Sequence, residues 1–208
     1  MSKVSFLWPG IFRQFGKPSG VLGWLVGWIL ANRPSNLERN RRTVDLLDIR
    51  PGERVLEIGC GPGVALQMIL KTFPDVSCAG LDHSALMIEM ACKRNRGDVR
   101  TGRLHLVLGG LEKLGYAGSG FHKAMMVNVS QFLAQRVAAF RSLRDAMVSG
   151  GRIAVTYQPR NFGATDADGR NEANKIAADL GDAGFTGLRI EAIPQKPVAA
   201  FCVLAEVN

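Results

Sequence analysis

Residues Val55-Leu56-Glu57-Ile58-Gly59-Cys60-Gly61-Pro62-Gly63 decide the fold: an apolar run closes on three glycines at every second position. The run reads as a buried strand. Glycines that follow it let backbone N–H groups approach a ligand where the next helix begins. Spacing then separates two ligand classes. A dinucleotide turn is G-x-G-x-x-G, whereas Val64 stands here where that turn needs its third glycine. Glu57, two residues ahead of Gly59, opposes an anionic pyrophosphate and suits an ammonium or sulfonium. Asp82 closes a second apolar run, 19 residues after Gly63, in Gly80-Leu81-Asp82-His83-Ser84. A carboxylate at that place accepts from both hydroxyls of a ribose. Turn and acid together specify an adenosine-type ligand.

From Arg54 onward, short apolar runs alternate with helical patterns, which predicts a doubly wound α/β domain with a mainly parallel sheet. Strands are expected at 54–58, 77–82, 104–108, 123–128 and 152–157. Helices are expected at 63–72, 84–95 and 131–147, the last stopping at Ser149-Gly150-Gly151. The tail predicts a helix at 168–183 and two strands, 187–193 and 198–206. These should pair antiparallel across Ile193-Pro194-Gln195-Lys196-Pro197. A further helix is expected from Asn36 to Leu47.

The chain resembles class I S-adenosylmethionine-dependent methyltransferases, especially small bacterial ones similar to the ubiquinone/menaquinone C-methyltransferase type. The resemblance covers 50–208 and rests on "VLEIGCGPG", "GLDHSALM", "FHKAMMVNVSQF" and "SGGRIAVTYQPR" in family order. It implies a Rossmann-like methyltransferase fold, with a seven-stranded sheet ending in an antiparallel hairpin, and S-adenosyl-L-methionine as cofactor. It further implies that Glu57, Gly59, Cys60, Gly61 and Gly63 line the methionine moiety and that Asp82 binds the ribose. His83 and Met87 would flank the ribose and adenine, and Asn128 would sit near the methionine carboxylate or the sulfonium. Two departures stand out. Gly110, followed by Leu111, occupies the place where the family often has an Asp for the adenine amino group, so backbone groups there would hold the adenine. Phe121-His122 replaces a common Phe-Asp at the far end of its strand, where a structural effect is expected.

Methyl transfer from a sulfonium is an in-line displacement that needs alignment and exclusion of water, with a base optional. Of the three histidines, His105 reads as a packed core residue, His122 lies at the wrong strand end, and His83 adjoins the ribose site. Tyr157, Gln158 and Arg160 follow the fifth strand, at the edge where open α/β sheets bind ligands. Tyr157 is the candidate to orient an acceptor or take its proton, with plain packing as the alternative. Arg160 either meets an anionic substrate group or is solvated. Trp24, Trp28 and Gln131 complete the candidate acceptor contacts. No carboxylate–histidine cluster suggests a metal. No Asn-Pro-Pro-Tyr follows the fourth strand, and no basic patch interleaves with aromatics, so nucleic acid is disfavoured as a partner.

The chain has 208 residues, 47% hydrophobic and 21% charged, enough for one domain with a sizeable core. Five of its eight net positive charges fall in residues 1–54. Residues 1–50 read as an N-terminal helical lid, or a substrate or membrane-contact segment, ahead of a cofactor domain at 51–208. Gly16, Gly20, Gly23, Gly27 and Ala31 give a small-residue face to a helix otherwise bearing Val21, Leu22, Trp24, Leu25, Trp28 and Ile29. Its apolar core "GVLGWLVGWILA" is too short to span a bilayer, which takes roughly 20 residues, and a cleaved secretory signal is disfavoured. Cys60, Cys78, Cys92 and Cys202 lack C-x-x-C spacing, so reduced thiols and a cytoplasmic protein are expected. The leading expectation is methylation of a small, partly apolar acceptor. Three others stay open: a phospholipid-headgroup N-methyltransferase docking peripherally at the inner face of the membrane, a non-catalytic S-adenosylmethionine-binding protein, and an NAD-dependent oxidoreductase, which Glu57 and the glycine spacing oppose. Nothing in the sequence assigns an oligomeric state.

Overall fold

In the computed structural model, which describes residues 33–208, the quoted run becomes β1 (Arg54–Ile58). Val55 to Ile58 are buried on both faces, which is why the segment reads as a run rather than an alternation. It pairs in parallel with β2 (Ser77–Asp82) on one side and β4 (Phe121–Val127) on the other. Beyond β2 lies β3 (Leu104–Leu108), and beyond β4 lies β5 (Met147–Tyr157). The tail adds β6 (Thr186–Ile193) and β7 (Ala200–Glu206), antiparallel to each other, with β7 antiparallel to β5. The resulting seven-stranded order is β3-β2-β1-β4-β5-β7-β6. The chain leaves β1 toward β3 and then restarts on the other side with β4. Crevices that hold ligands open at such a reversal, outside the carboxyl ends of the strands.

Helices cover both faces. α1 (Pro34–Leu47) and α2 (Val64–Thr72) bury Val44, Leu47, Leu66 and Ile69 against Val55, Cys78, Met125 and Ala154. α3 (Ala85–Arg94) follows β2, and a short α4 (Arg96–Arg100) leads to β3. The opposite face carries α5 (Leu114–Ala117), α6 (Arg136–Asp145) and α7 (Asp166–Asp182). There Phe140, Leu143, Ile176 and Leu180 meet Leu56, Met126, Ile153 and Val203. α7 begins two residues before the expected start because Thr165 and Asp168 form a capping box. α1 is fastened to the sheet by a hydrogen bond of 2.7 Å between the Thr43 and Thr156 hydroxyls, both buried. Residues 34–47, grouped by sequence with the N-terminal segment, are therefore part of the main core.

Three sequence expectations fail. The helix expected at 131–147 is a 3-10 turn at Ser130–Phe132 followed by α6, which stops at Asp145. Ser149-Gly150-Gly151 lies inside β5 rather than capping a helix: pairing jumps from Phe121 opposite Met147 to Lys123 opposite Arg152. Gly150 has φ 74°, and the loop made there is tied to Val207 by two backbone hydrogen bonds of 2.8 Å. A positive-φ glycine serves a strand bulge as readily as a helix end, so the sequence signal was ambiguous. His105 is exposed rather than packed in the core. Its neighbours Leu104 and Val107 take the buried positions. The Gly- and Trp-bearing segment at 16–31, with Trp24 and Trp28, lies outside the described residues. Among the described residues no helix is long and apolar enough to cross a membrane.

Candidate functional site

The three glycines of the turn all have positive φ, at 68°, 52° and 72° for Gly59, Gly61 and Gly63, but they serve different ends. A Cβ on Gly59 would lie 2.4 Å from Val129 Cγ2, and one on Gly63 would lie 2.6 Å from Asn95 Nδ2 and 3.0 Å from Ala91 Cβ. Those two glycines let the loop after β4 and the helix α3 approach. Nothing stands within 4 Å of a Cβ on Gly61, which leaves the outer side of the turn open.

Asp82 organises the turn. Its Oδ2 accepts from the Gly61 N–H and its Oδ1 from the Ser84 N–H, both at 2.9 Å, so one carboxylate joins the loop after β1 to the start of α3. Each oxygen retains acceptor capacity for a ribose hydroxyl. His83 is exposed beside it, with Nδ1 3.8 Å from Asp82 Oδ1, and Met87 is buried. Asn95 and Arg94, which sequence reasoning missed, hold the turn from the end of α3: Asn95 Nδ2 donates to Gly63 O at 3.1 Å and Arg94 Nε to Pro62 O at 2.9 Å. Cys60 contributes no thiol to the open side, because its side chain is buried in the core between sheet and α2. Burial, then Glu57 and Asp82, push that thiol well above the ordinary cysteine range.

Glu57 is 4% exposed and its Oε2 has no hydrogen-bond partner. Burial first, then the Asp82 charge, raise its pKa well above the carboxylate range, opposed by a backbone hydrogen bond from Leu66. Across the β1–β4 pairing, Asn128 follows β4 with φ 56°. Its Oδ1 accepts from the Gln158 N–H at 2.8 Å, its carbonyl accepts from Gln131 Nε2 at 2.9 Å, and its Nδ2 is buried without a partner. The Ser130 hydroxyl beside it is likewise buried and unpartnered. These positions follow the carboxyl ends of adjacent strands, since Ile58 pairs with Met126 and Val127 with Thr156.

Strand alternation splits the residues after β5. Gln158 shares the α1 face with Thr156. It accepts from Arg39 of α1 and donates through Nε2 to Val198 O at 2.7 Å. Tyr157 points to the opposite face, bordering a groove of about 750 Å³ with Gln131, Gln135, Arg136, Glu172 and Asp179. Its pKa is raised by burial, then by the Glu172 and Asp168 carboxylates. That direction is wrong for a proton acceptor and keeps the phenol neutral. Arg160 reaches the surface beyond Gln158. After β3 the Gly110 N–H is already taken by Glu112 Oε1 at 2.8 Å, and Leu111 is half-buried against the core. Glu112, unnoticed in the sequence, thus brings a carboxylate to the place where an Asp was missing. The Gly110 amide, then the amide of Glu112 itself, lower its pKa. Among the described residues no group of acidic, histidine and cysteine side chains could hold a metal.

Sheet order, glycine turn and the Asp82 bridge define a Rossmann-like protein built around an adenosine-type ligand. Residues 55–151 match a family model described as a methyltransferase domain. The chain is 29% identical over 182 residues to the uncharacterized methyltransferase YdaC of Bacillus subtilis (strain 168), covering 88% of this chain and 97% of that protein. It is 37% identical over 122 residues to a trans-aconitate 2-methyltransferase of Sinorhizobium fredii, covering 57% of this chain but 44% of that enzyme. The fold superposes with a TM-score of 0.70 and 14% identity on a Haemonchus contortus phosphoethanolamine N-methyltransferase 2, over 100% of this chain and 60% of the other. The chain is a class I S-adenosyl-L-methionine-dependent methyltransferase. A purely non-catalytic or NAD-dependent reading is thereby set aside.

Proposed function

We propose that the enzyme methylates a small, partly apolar acceptor held at the carboxyl edge of β1, β4 and β5, beside the glycine turn. The observation that carries this reading is the set of buried atoms without partners there: Glu57 Oε2, Asn128 Nδ2 and Ser130 Oγ. Each such atom costs on the order of 1–3 kcal/mol when left bare. Groups of the complementary kind, a cation for the carboxylate and acceptors for the amide, belong to the amino-acid end of S-adenosyl-L-methionine, so the residues fit the cofactor. When bound, S-adenosyl-L-methionine supplies an electrophilic methyl group on a positively charged sulfur.

The chain's own residues then have distinct work. Glu57 sets a negative charge opposite the cationic end of the cofactor, and Asp82 accepts from the ribose hydroxyls while bracing Gly61 and Ser84. Gly61 leaves room for close approach, and Asn128 donates through Nδ2. His83 and Met87 border the ribose and adenine, with Gly110, Leu111 and Glu112 at the adenine rim. These residues would hold the cofactor with its methyl group facing the acceptor, and the strand edge would align an acceptor lone pair with it and exclude water. Orientation supplies up to roughly 7–11 kcal/mol of the rate. Tyr157 is read as a hydrogen-bonding wall rather than a base, because its environment resists ionisation. Gln131 and Arg160 stand at the rim as acceptor contacts, with Trp24 and Trp28 of the undescribed segment proposed to join them. The finer likeness to the ubiquinone/menaquinone C-methyltransferase type rests on the motifs alone.

The relative named for trans-aconitate supports a soluble acceptor. The basic balance of residues 1–54 supports the second reading, a phospholipid headgroup met through peripheral membrane contact. Incubation with methyl-labelled S-adenosyl-L-methionine and a cell extract separated into lipid, soluble-metabolite and nucleic-acid fractions decides between them. Label is expected among soluble metabolites; label in lipid would transfer the assignment to the headgroup, and label in nucleic acid would overturn both.

A further inference from the structure

The groove bordered by Tyr157 starts at the strand edge and continues between α6 and α7. Ser130, Gln131 and Tyr157 line it where β4 has ended and β5 closes, and Arg141 and Asp179 line it from the two helices. Glu172 and Asp179 stand two turns apart on α7, so they share one face over about 10 Å. The volume of about 750 Å³ falls within the roughly 300–1,000 Å³ of small-molecule sites.

The walls define the chemistry that fits. Leu133, Ala134, Val137 and Ala138 supply apolar surface. The charged lining residues are two of each sign, Arg136 and Arg141 against Glu172 and Asp179. Arg136 pairs with Glu172 and, at 2.6 Å, with Asp179, while Arg141 donates to the Asp182 carbonyl at 3.0 Å. Because these formal charges cancel, the groove exerts little net pull on a polyanion. The other polar lining groups, Ser130, Gln131, Gln135 and Tyr157, can each donate and accept. Burial, then the Glu172 and Asp168 carboxylates, keep the Tyr157 phenol neutral. Hydroxyls and carbonyls pair with such groups without bringing an uncompensated charge out of water, whereas a carboxylate brings one. Ser130 is fully buried and its hydroxyl has no partner, which leaves a hydrogen bond to be made at the end of the groove nearest Asn128.

We propose that this groove receives the body of the acceptor, and that the acceptor is a neutral molecule carrying hydroxyl or carbonyl groups on an apolar frame. The inference deepens the proposed function and rests on its placement of methyl transfer at the β4–β5 edge. The reacting group lies at that edge, and the rest of the molecule extends between α6 and α7, past Tyr157 and Gln135.

The test uses full-length protein saturated with S-adenosylhomocysteine and titrated calorimetrically at pH 7 with 2-naphthol and with 2-naphthoate, which share one apolar frame and differ in charge. The variants are Ala134→Trp and Ala138→Trp. Both alanines are exposed and line the groove, so either indole fills it from outside the core, and the second variant keeps the test open where one does not fold. The expected result is that wild type binds 2-naphthol at least tenfold more tightly than 2-naphthoate. Each folded variant should then weaken 2-naphthol at least tenfold while S-adenosylhomocysteine affinity holds within twofold. Preference for 2-naphthoate would overturn the neutral class. Binding of neither probe, or 2-naphthol affinity unchanged by a filled groove, would overturn the groove as the acceptor's seat and leave the methyltransferase site standing. Failure of wild type to bind S-adenosylhomocysteine would instead strike the proposed function itself.

Discussion

Replacing Glu57 with Gln is expected to raise the stability of the free protein while weakening its hold on the cofactor. Glu57 is buried, has no cationic neighbour among the described residues, and has a pKa raised well above its ordinary value of 4.5 by burial and by Asp82. A carboxyl of this kind keeps its proton in the folded chain at a pH where the unfolded chain has released it. Stability is therefore lost as pH rises from 4.5 toward the folded value, and is level above it. Each pH unit inside that window costs about 1.4 kcal/mol. Gln has the same shape, can still accept from the Leu66 amide, and has no proton to lose, so the slope disappears. For a chain of this size 1 kcal/mol moves the melting temperature by about 2–4 °C, which makes the variant about 3–6 °C more stable per pH unit crossed. Ligand affinity moves the other way. Loss of a charge-assisted contact to the cationic end of S-adenosyl-L-methionine costs about 1.5–3 kcal/mol, or about 10- to 150-fold in Kd. Wild-type affinity rises with pH across the same window and the variant's does not. Thermal melts at pH 5, 6, 7 and 8, with calorimetric titration of S-adenosyl-L-methionine at each, measure both effects. A variant that is less stable than wild type at every pH, or that binds the cofactor equally well, would refute the reasoning.

Asp82→Asn is expected to weaken both turn and ligand, because one side-chain oxygen cannot serve the Gly61 and Ser84 amides together. About 1–3 kcal/mol of stability should go, with at least tenfold weaker cofactor binding by calorimetry; unchanged binding would remove Asp82 from the ribose site. Gly59→Ala should cost far more than Gly61→Ala in denaturant melts. Its Cβ would lie 2.4 Å from Val129, whereas that of Gly61 is free and carries mainly the roughly 1–2 kcal/mol of left-handed strain; equal losses would sink the distinction. Tyr157→Phe should retain kcat within about threefold, since the raised pKa keeps the hydroxyl out of proton abstraction, and a loss on the order of 10²-fold or more, the scale of general base catalysis, would reinstate it as a base. A thiol reagent on the native chain should titrate Cys92 fast and leave Cys60, Cys78 and Cys202 slow, as all three are buried, with Cys202 raised to about 12 by burial. Four equally fast thiols would contradict the packing.

The strands and the turn were legible because they obey local rules. Val55 to Ile58 read as a run since both faces are covered, and Gly59 to Gly63 carry a spacing that few ligands fit. Ser149-Gly150-Gly151 misled because a positive-φ glycine ends a helix and makes a bulge with the same residue, and the pairing with Val207 that decides between them comes from 56 residues on. Sequence placed Glu57, Asp82 and Asn128 at strand ends, but what matters at those positions is whether a partner is near, and periodicity reports burial without reporting partners.

Arg39 shows the limit most sharply. In sequence it is one of four arginines within Arg39-Asn40-Arg41-Arg42 and its neighbour Arg33, and its helix carries exposed Arg41 and Arg42 paired along the surface with Glu38. Helical periodicity alone gives Arg39 no distinction from them. The tertiary fold does, by turning that side chain under the sheet edge to Gln158, 119 residues away. Glu57 at the end of β1 is likewise buried without a cationic partner, and burial with the neighbouring Asp82 favours its protonated form in the free chain. Arg39 donates only to the neutral amides of Gln158 and Asn36, and Gln158 is joined in turn to Asn128. The two buried groups thus differ in what a ligand can change: a cation brought to Glu57 favours loss of its proton, whereas the guanidinium of Arg39 is fixed by amide contacts that periodicity along α1 does not reveal.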